Sequence, residues 1–182
     1  MSIEDEMEEL EEGKIGLLIV ESDEYVNTNM EVLKFLTEEK EAFGVYITIN
    51  KPYGTIRNVL EEHSVETDKM FFVDAVSQEV GEDTVEDDHV VFLDSPKDLT
   101  GLSIVVSEAV DSMPDGEKFV FLDSLTTLTV YNEMDTVSQF AHFLTGKMRK
   151  WNVSGVIISM EEEMDDKLIS QIRQFCDRTI EV

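Results

Sequence analysis

Residues 118–128 read Lys118-Phe119-Val120-Phe121-Leu122-Asp123-Ser124-Leu125-Thr126-Thr127-Leu128. Four consecutive apolar residues read as a strand covered on both faces, and they end in an aspartate where the strand leaves the sheet. Outward from this segment, short apolar runs alternate with helix-compatible stretches. Strands are expected at Ile15–Val20, Val45–Ile49, Met70–Val73, Val90–Leu93, Phe119–Leu122 and Val156–Ser159, with a weak last one at Thr179–Val182. Helices are expected over 28–41, 52–62, 98–112, 134–150 and 162–175. Pro52 and the Ser95-Pro96 pair mark turns ahead of two of these helices, and Glu161, Glu162 and Glu163 sit where a helix dipole favours negative charge. The expected fold is α/β: a three-layer α/β/α sandwich around a mainly parallel sheet.

A chain of 182 residues suffices for one well-packed domain. The reading is an acidic tail over 1–13, then a single domain over 14–182. The tail has seven acids in its first twelve residues. Ile3, Met7 and Leu10 recur at helical spacing, but a solvated, frayed segment is the expectation. The net charge of −27 repels phosphate backbones and anionic membranes, so neither nucleic acid nor a membrane is an expected partner. No apolar run approaches the roughly 20 residues of a membrane helix, and no basic leader precedes an apolar segment. The single cysteine, Cys176, has no intramolecular partner, which suits a reducing cytoplasm. Residues 79–88 carry six acids and no aromatic residue. They read as an exposed loop, because the spacing of a calcium-binding loop is missing.

The aspartate-tipped strand, with Ser124-Leu125-Thr126-Thr127 after it, resembles the Walker B region of the RecA-like ATPases of the KaiC group, which is widespread in archaea. Other segments fall in the same order. Phe43-Gly44-Val45-Tyr46-Ile47-Thr48-Ile49-Asn50 is similar to the family's second core strand, and Phe71-Phe72-Val73-Asp74-Ala75 to its F-I-D-A stretch. Trp151 through Ser159 is similar to the following strand with its lead-in, and Cys176 through Val182 to the start of the late edge strands. The resemblance spans about residues 14–182. It implies a P-loop nucleotide enzyme's architecture, with ATP and Mg²⁺ held between the first strand and Asp123.

The residues that would do that chemistry depart from the family's pattern. A P-loop reads G-x-x-x-x-G-K-[ST] between the first strand and helix. Here the junction is Glu21-Ser22-Asp23-Glu24-Tyr25-Val26-Asn27-Thr28, so Glu21 and Val26 stand for the glycines and Asn27 for the lysine; only Thr28 fits. No glycine lies between Gly16 and Gly44. Glycines let a loop curl its N–H groups around phosphate, and a β-branched valine resists that conformation. Glu21, Asp23 and Glu24 would face the anion, each close pair costing about 1 kcal/mol in water and about 4 near a protein surface. The catalytic glutamate that the resemblance places after the second core strand falls near Asn50-Lys51-Pro52, where no suitable general base stands.

The expectation is therefore a catalytically inactive RecA-like protein with no catalytic residue and no cofactor. It would act through protein contacts, with an intact RecA-like ATPase or a second copy as partner, in a regulatory role. Asp123 and Ser124 then cap or finish a strand. Three alternatives stay open. One is binding of ATP or ADP with Mg²⁺, weakly and without hydrolysis, through Thr28, Asp123 and helix N–H groups. Another gives Asp123 alone a residual metal-ligand role. The third is a receiver domain with Asp74 as phospho-acceptor, although Met160 and Glu161 stand where its lysine belongs. No nucleophile elbow occurs, His63, His89 and His142 are scattered, and the stripe Met134, Val137, Phe140, Leu144, Met148 reads as a core-facing helix side.

Overall fold

The computed structural model describes residues 1–182. Seven strands form one all-parallel sheet: β1 (Ile15–Val20), β2 (Phe43–Thr48), β3 (Met70–Asp74), β4 (Val90–Phe92), β5 (Lys118–Asp123), β6 (Ser154–Met160) and β7 (Arg178–Glu181). Their spatial order is β4-β3-β2-β5-β6-β1-β7. Each expected strand is present to within two residues, because continuous apolar runs are what a doubly covered sheet requires. All six residues of β1 are buried.

The helices are α1 (Ile3–Glu8), α2 (Tyr25–Lys34), α3 (Tyr53–Glu62), α4 (Leu99–Ser112), α5 (Leu125–Tyr131), α6 (Met134–Trp151) and α7 (Asp166–Phe175). Connections that step toward the β4 edge put α2 and α3 on one face, and those that step toward β7 put α4 to α7 on the other. That is the outcome of right-handed crossovers. Alternate strand side chains feed two cores accordingly. Val45, Ile47, Val120 and Leu122 pack with α4–α7. Tyr46, Phe72, Phe119 and Phe121 pack with α1–α3. Gly44 is required in β2: a Cβ there would stand 2.0 Å from the Phe119 ring on the neighbouring strand.

Three expectations are corrected. The N-terminal segment is not a frayed tail. Its α1 opens with a capping box between Ser2 and Asp5 and buries Ile3, Met7 and Leu10 in the α1–α3 core. Arg178 of β7 pairs with Glu6 and, by a second nitrogen, with Glu9, which holds the helix to the far end of the chain. The helix after β1 begins at Tyr25 rather than near residue 28, and it ends in one π-helical turn over Phe35–Glu39. The last helix begins at Asp166, not 162. Asp165 caps it by accepting from the Leu168 N–H at 2.9 Å, while Glu161–Glu163 form a separate 3-10 turn. Helix α5 was not anticipated. The 79–88 loop is exposed throughout, as expected.

The docking of α1 makes a measurable difference to stability. Met7 is 2% exposed, so Met7→Ala should cost about 2–5 kcal/mol in denaturant unfolding, whereas Glu4→Ala on the exposed side should stay within about 0.5. A solvated tail would give near zero for both.

Candidate functional site

In open α/β sheets, ligands bind outside the carboxyl ends of strands whose onward connections diverge to opposite faces. Here β2 leads to α3 on one face and its neighbour β5 leads to α5 on the other. At that end the register sets Asp74, Thr48 and Asp123 side by side on β3, β2 and β5. All three are wholly buried.

Asp123 is the centre of this row. Its Oδ2 accepts hydrogen bonds from two phenols, Tyr25 and Tyr46. Tyr46 rises from the middle of β2, stacked on Phe121 with ring centroids 5.0 Å apart. Tyr25 is the first residue of α2 and reaches beneath the helix start. The other oxygen, Oδ1, has no partner. Burial pushes the Asp123 carboxyl above its ordinary value; the two phenol bonds, and then the positive charge of Lys51, oppose that shift. Burial and the adjacent carboxyl push both phenols up as well, so they remain hydrogen-bond donors. The peptide after Asp123 is cis.

The turn between β1 and α2 is four residues long, Glu21 to Glu24, and the chain uses three of its N–H groups itself. Glu21 donates to the Val182 carbonyl at 3.3 Å, Glu24 to that of Glu21 at 3.0 Å and Thr28 to that of Glu24 at 2.9 Å. The Ser22 N–H and hydroxyl both go to the Glu162 carboxylate, at 2.9 and 2.8 Å. That backbone bond holds Glu162 below the usual carboxylate range. An internal carboxylate thus occupies one N–H of this turn, as an anion would.

The other polar groups of the row are closed in the same way. The Asp74 oxygens accept from the N–H groups of Tyr53, Val76 and Ser77, each at 2.8 Å, and from the Ser77 hydroxyl. A carboxylate so saturated is not free to accept a phosphoryl group, and a seven-stranded sheet in this order is not the five-stranded arrangement of a receiver. Thr48 donates to the Lys51 carbonyl and accepts from the Lys51 N–H at 3.3 Å, which folds the Asn50-Lys51-Pro52 turn. The Lys51 ammonium stands 5.5 Å over the Tyr25 ring.

The residues singled out from sequence are not brought together. Glu21 and Asn27 are exposed, Val26 packs partly against the α1–α3 core, and Thr28 is buried inside α2. Asp123 is bonded to the two tyrosines and not to Thr28. Ser124 is the N-cap of α5, accepting from the Thr127 N–H at 3.2 Å. No group of three His, Cys, Asp or Glu side chains is arranged to hold a metal ion. Two phenols occupy one oxygen of the Asp123 carboxyl, and Asn27 stands where a P-loop lysine would, with Lys51 the nearby cation over the Tyr25 ring. Sequence reasoning missed Tyr25 and Tyr46. The available signal was a tyrosine inside a fully apolar strand, since a buried phenol needs a partner.

Comparison with known proteins agrees with the fold. The model of a family described as "Family of unknown function (DUF7504)" matches residues 17–182. No curated protein matches the chain. Among solved structures, the KaiC-like protein PH0186 from the hyperthermophilic archaeon Pyrococcus horikoshii OT3 superposes with a TM-score of 0.67 at 13% identity, over 93% of this chain and 71% of its own. The uncharacterized protein PH0321 of Pyrococcus horikoshii, solved in complex with an unknown peptide, gives 0.69 at 11% identity, over 98% and 81%. The architecture is thus RecA-like. No helix is long and apolar enough to cross a membrane.

Two measurements test the closed carboxyl. Tyr25→Phe and Tyr46→Phe should each lower the unfolding free energy by about 1.5–3 kcal/mol, the scale of a hydrogen bond to an ionisable group. The second uses pH. A carboxyl raised in the folded state holds its proton where the unfolded chain has lost it, so folding stability falls as pH climbs from the ordinary 3.8 toward the raised folded value. Asp123→Asn has no such proton. Its stability relative to the native chain, measured by denaturant unfolding at each pH, should therefore improve across that window and then level off. A constant difference would mean that Asp123 titrates normally.

Proposed function

The chain belongs to this DUF7504 family, and we propose that it is a RecA-like protein that does not hydrolyse ATP and works through contacts with other proteins in a regulatory role. The carrying observation is the Asp123 carboxyl, closed by the Tyr25 and Tyr46 phenols at the strand end where Mg²⁺ would need it open. A metal-binding aspartate works as an exposed anion; this one is enclosed and driven toward its neutral form.

Three further features support the reading. The Glu21–Thr28 stretch serves as a degenerate phosphate loop: the N–H groups of Glu21, Ser22, Glu24 and Thr28 are bonded internally, and the Glu162 carboxylate sits on Ser22. Glu21, Asp23 and Glu24 are exposed beside that turn and oppose a triphosphate. The segment after β2 offers Asn50 and Lys51 rather than a general base, and Lys51 is engaged over Tyr25. One structural neighbour, the uncharacterized protein PH0321, was solved in complex with an unknown peptide, which is compatible with the reading. The acidic surface suits a protein or peptide partner better than a nucleic acid.

The test is direct. The purified chain with ATP and Mg²⁺ should release phosphate no faster than a blank, and calorimetry with ATP, ADP and cyclic nucleotides at millimolar concentration should give no binding heat. Immobilised chain without nucleotide should retain an intact RecA-like ATPase, and its addition should change that ATPase's turnover rate. Turnover by the chain itself, dependent on Mg²⁺ and abolished by Asp123→Ala, overturns the proposal.

A further inference from the structure

The longest run of the sequence without an acid includes most of helix α6. From Thr136 through Met160 no Asp or Glu occurs, in a chain with 41 of them among 182 residues. Helix α6 fills most of that stretch and carries Lys147, Arg149 and Lys150, three of the 14 cationic side chains. Beside it on the same face of the sheet, α4 has no acid from Leu99 through Ser107.

Between the two helices runs a groove of about 360 Å³ lined by Ser103, Ile104, Ser107, Glu108, Phe143, Lys147 and Trp151. Ile104 is 54% exposed and Phe143 49%, and Val130 and Met134 on the same side of the sheet are also open. Large apolar side chains left in water on a surface poor in acids mark a contact face. The α4 wall of the groove carries two small residues, Ser103 and Ser107, and the Ser103 hydroxyl is turned inward to the Leu99 carbonyl at 2.8 Å. A second backbone can approach closely there. Lys147 lies 5.4 Å over the Phe143 ring, so its charge stays at the groove and not out in solvent.

We propose that the α4–α6 groove is the self-contact face of a symmetric homodimer of this chain. Charge complementarity singles out the second copy. Two chains of net charge −27 repel wherever their acids meet, and this groove brings only one acid per copy, Glu108, to such a contact. Closed dimers use the same patch twice. A two-fold axis along the groove seats α4 of one copy on α6 of the other. It then sets the one acid of the groove, Glu108, against Lys147 of the opposite copy, once on each side, with the Ile104 and Phe143 side chains enclosed between them.

The inference shares with the proposed function the premise that the chain acts through protein contacts, and the two fail separately. ATP turnover would remove that reading and leave the dimer standing, whereas a monomeric chain would do the reverse. The experiment is sedimentation equilibrium of the full chain over a concentration series. The native chain should sediment as a dimer, more tightly when KCl is raised from about 0.1 to about 1 M, because screening weakens the overall repulsion. Phe143→Glu and Ile104→Glu should each weaken the dimer at least about tenfold with unchanged circular dichroism, since both side chains are exposed. Glu108→Lys and Lys147→Glu should each weaken it, and the two together should restore it. A native chain that stays monomeric at every concentration, a dimer indifferent to Phe143→Glu, or a double charge swap that restores nothing overturns the proposal.

Discussion

A carboxyl enclosed by a protein core has to find its hydrogen-bond donors inside the fold, and much of this molecule's carboxyl edge follows from that requirement at Asp123. One donor comes from β2, where Tyr46 replaces an aliphatic residue in an otherwise apolar strand and pays no penalty in packing because Phe72 and Phe121 flank its ring. The other comes from α2, and it constrains the backbone. For Tyr25 to reach Asp123, the helix has to begin immediately after the turn, which leaves four residues between strand and helix. The glutamate on Ser22 completes the closure from the β6–α7 connection.

The same economy governs Asp74, whose donors are the backbone N–H groups of the loops that leave β2 and β3. Two buried aspartates in one row are thus handled by different means, one by backbone and one by phenols. Only Asp123 keeps an oxygen without a partner, which is why burial outweighs its hydrogen bonds.

The strands were legible because each is a short apolar run covered on both faces, and Asp123 was legible as the polar end of such a run. What escaped depends on partners far away in the chain. The bond from Tyr25 to Asp123 spans 98 positions, that from Tyr46 spans 77 and that from Ser22 to Glu162 spans 140. Only the register of β2, β5 and β6 makes them neighbours. Helix α5 escaped for a local reason: Leu125-Thr126-Thr127-Leu128-Thr129-Val130-Tyr131 is rich in β-branched residues with poor helix propensity. The Ser124 cap and the burial of Leu125 and Leu128 override that preference. In α1 the run of acids concealed an apolar spacing that the sequence did contain, and the one cation that holds the helix down, Arg178, lies in β7.

The strand order has a consequence for how the molecule is made. Strand β1 is synthesised early, yet its two neighbours in the sheet are β6 and β7, the last two strands of the chain. A ribosome must therefore release nearly the whole polypeptide before Ile15–Val20 can be paired on either edge. For that interval a six-residue aliphatic segment waits without its hydrogen-bonding partners, the kind of stretch that recruits other chains. Loop-closure entropy over so long a separation slows its capture further. The ion pairs that hold α1 likewise wait for Arg178 to emerge and meet Glu6 and Glu9. Segments far apart in the sequence thus complete the fold together.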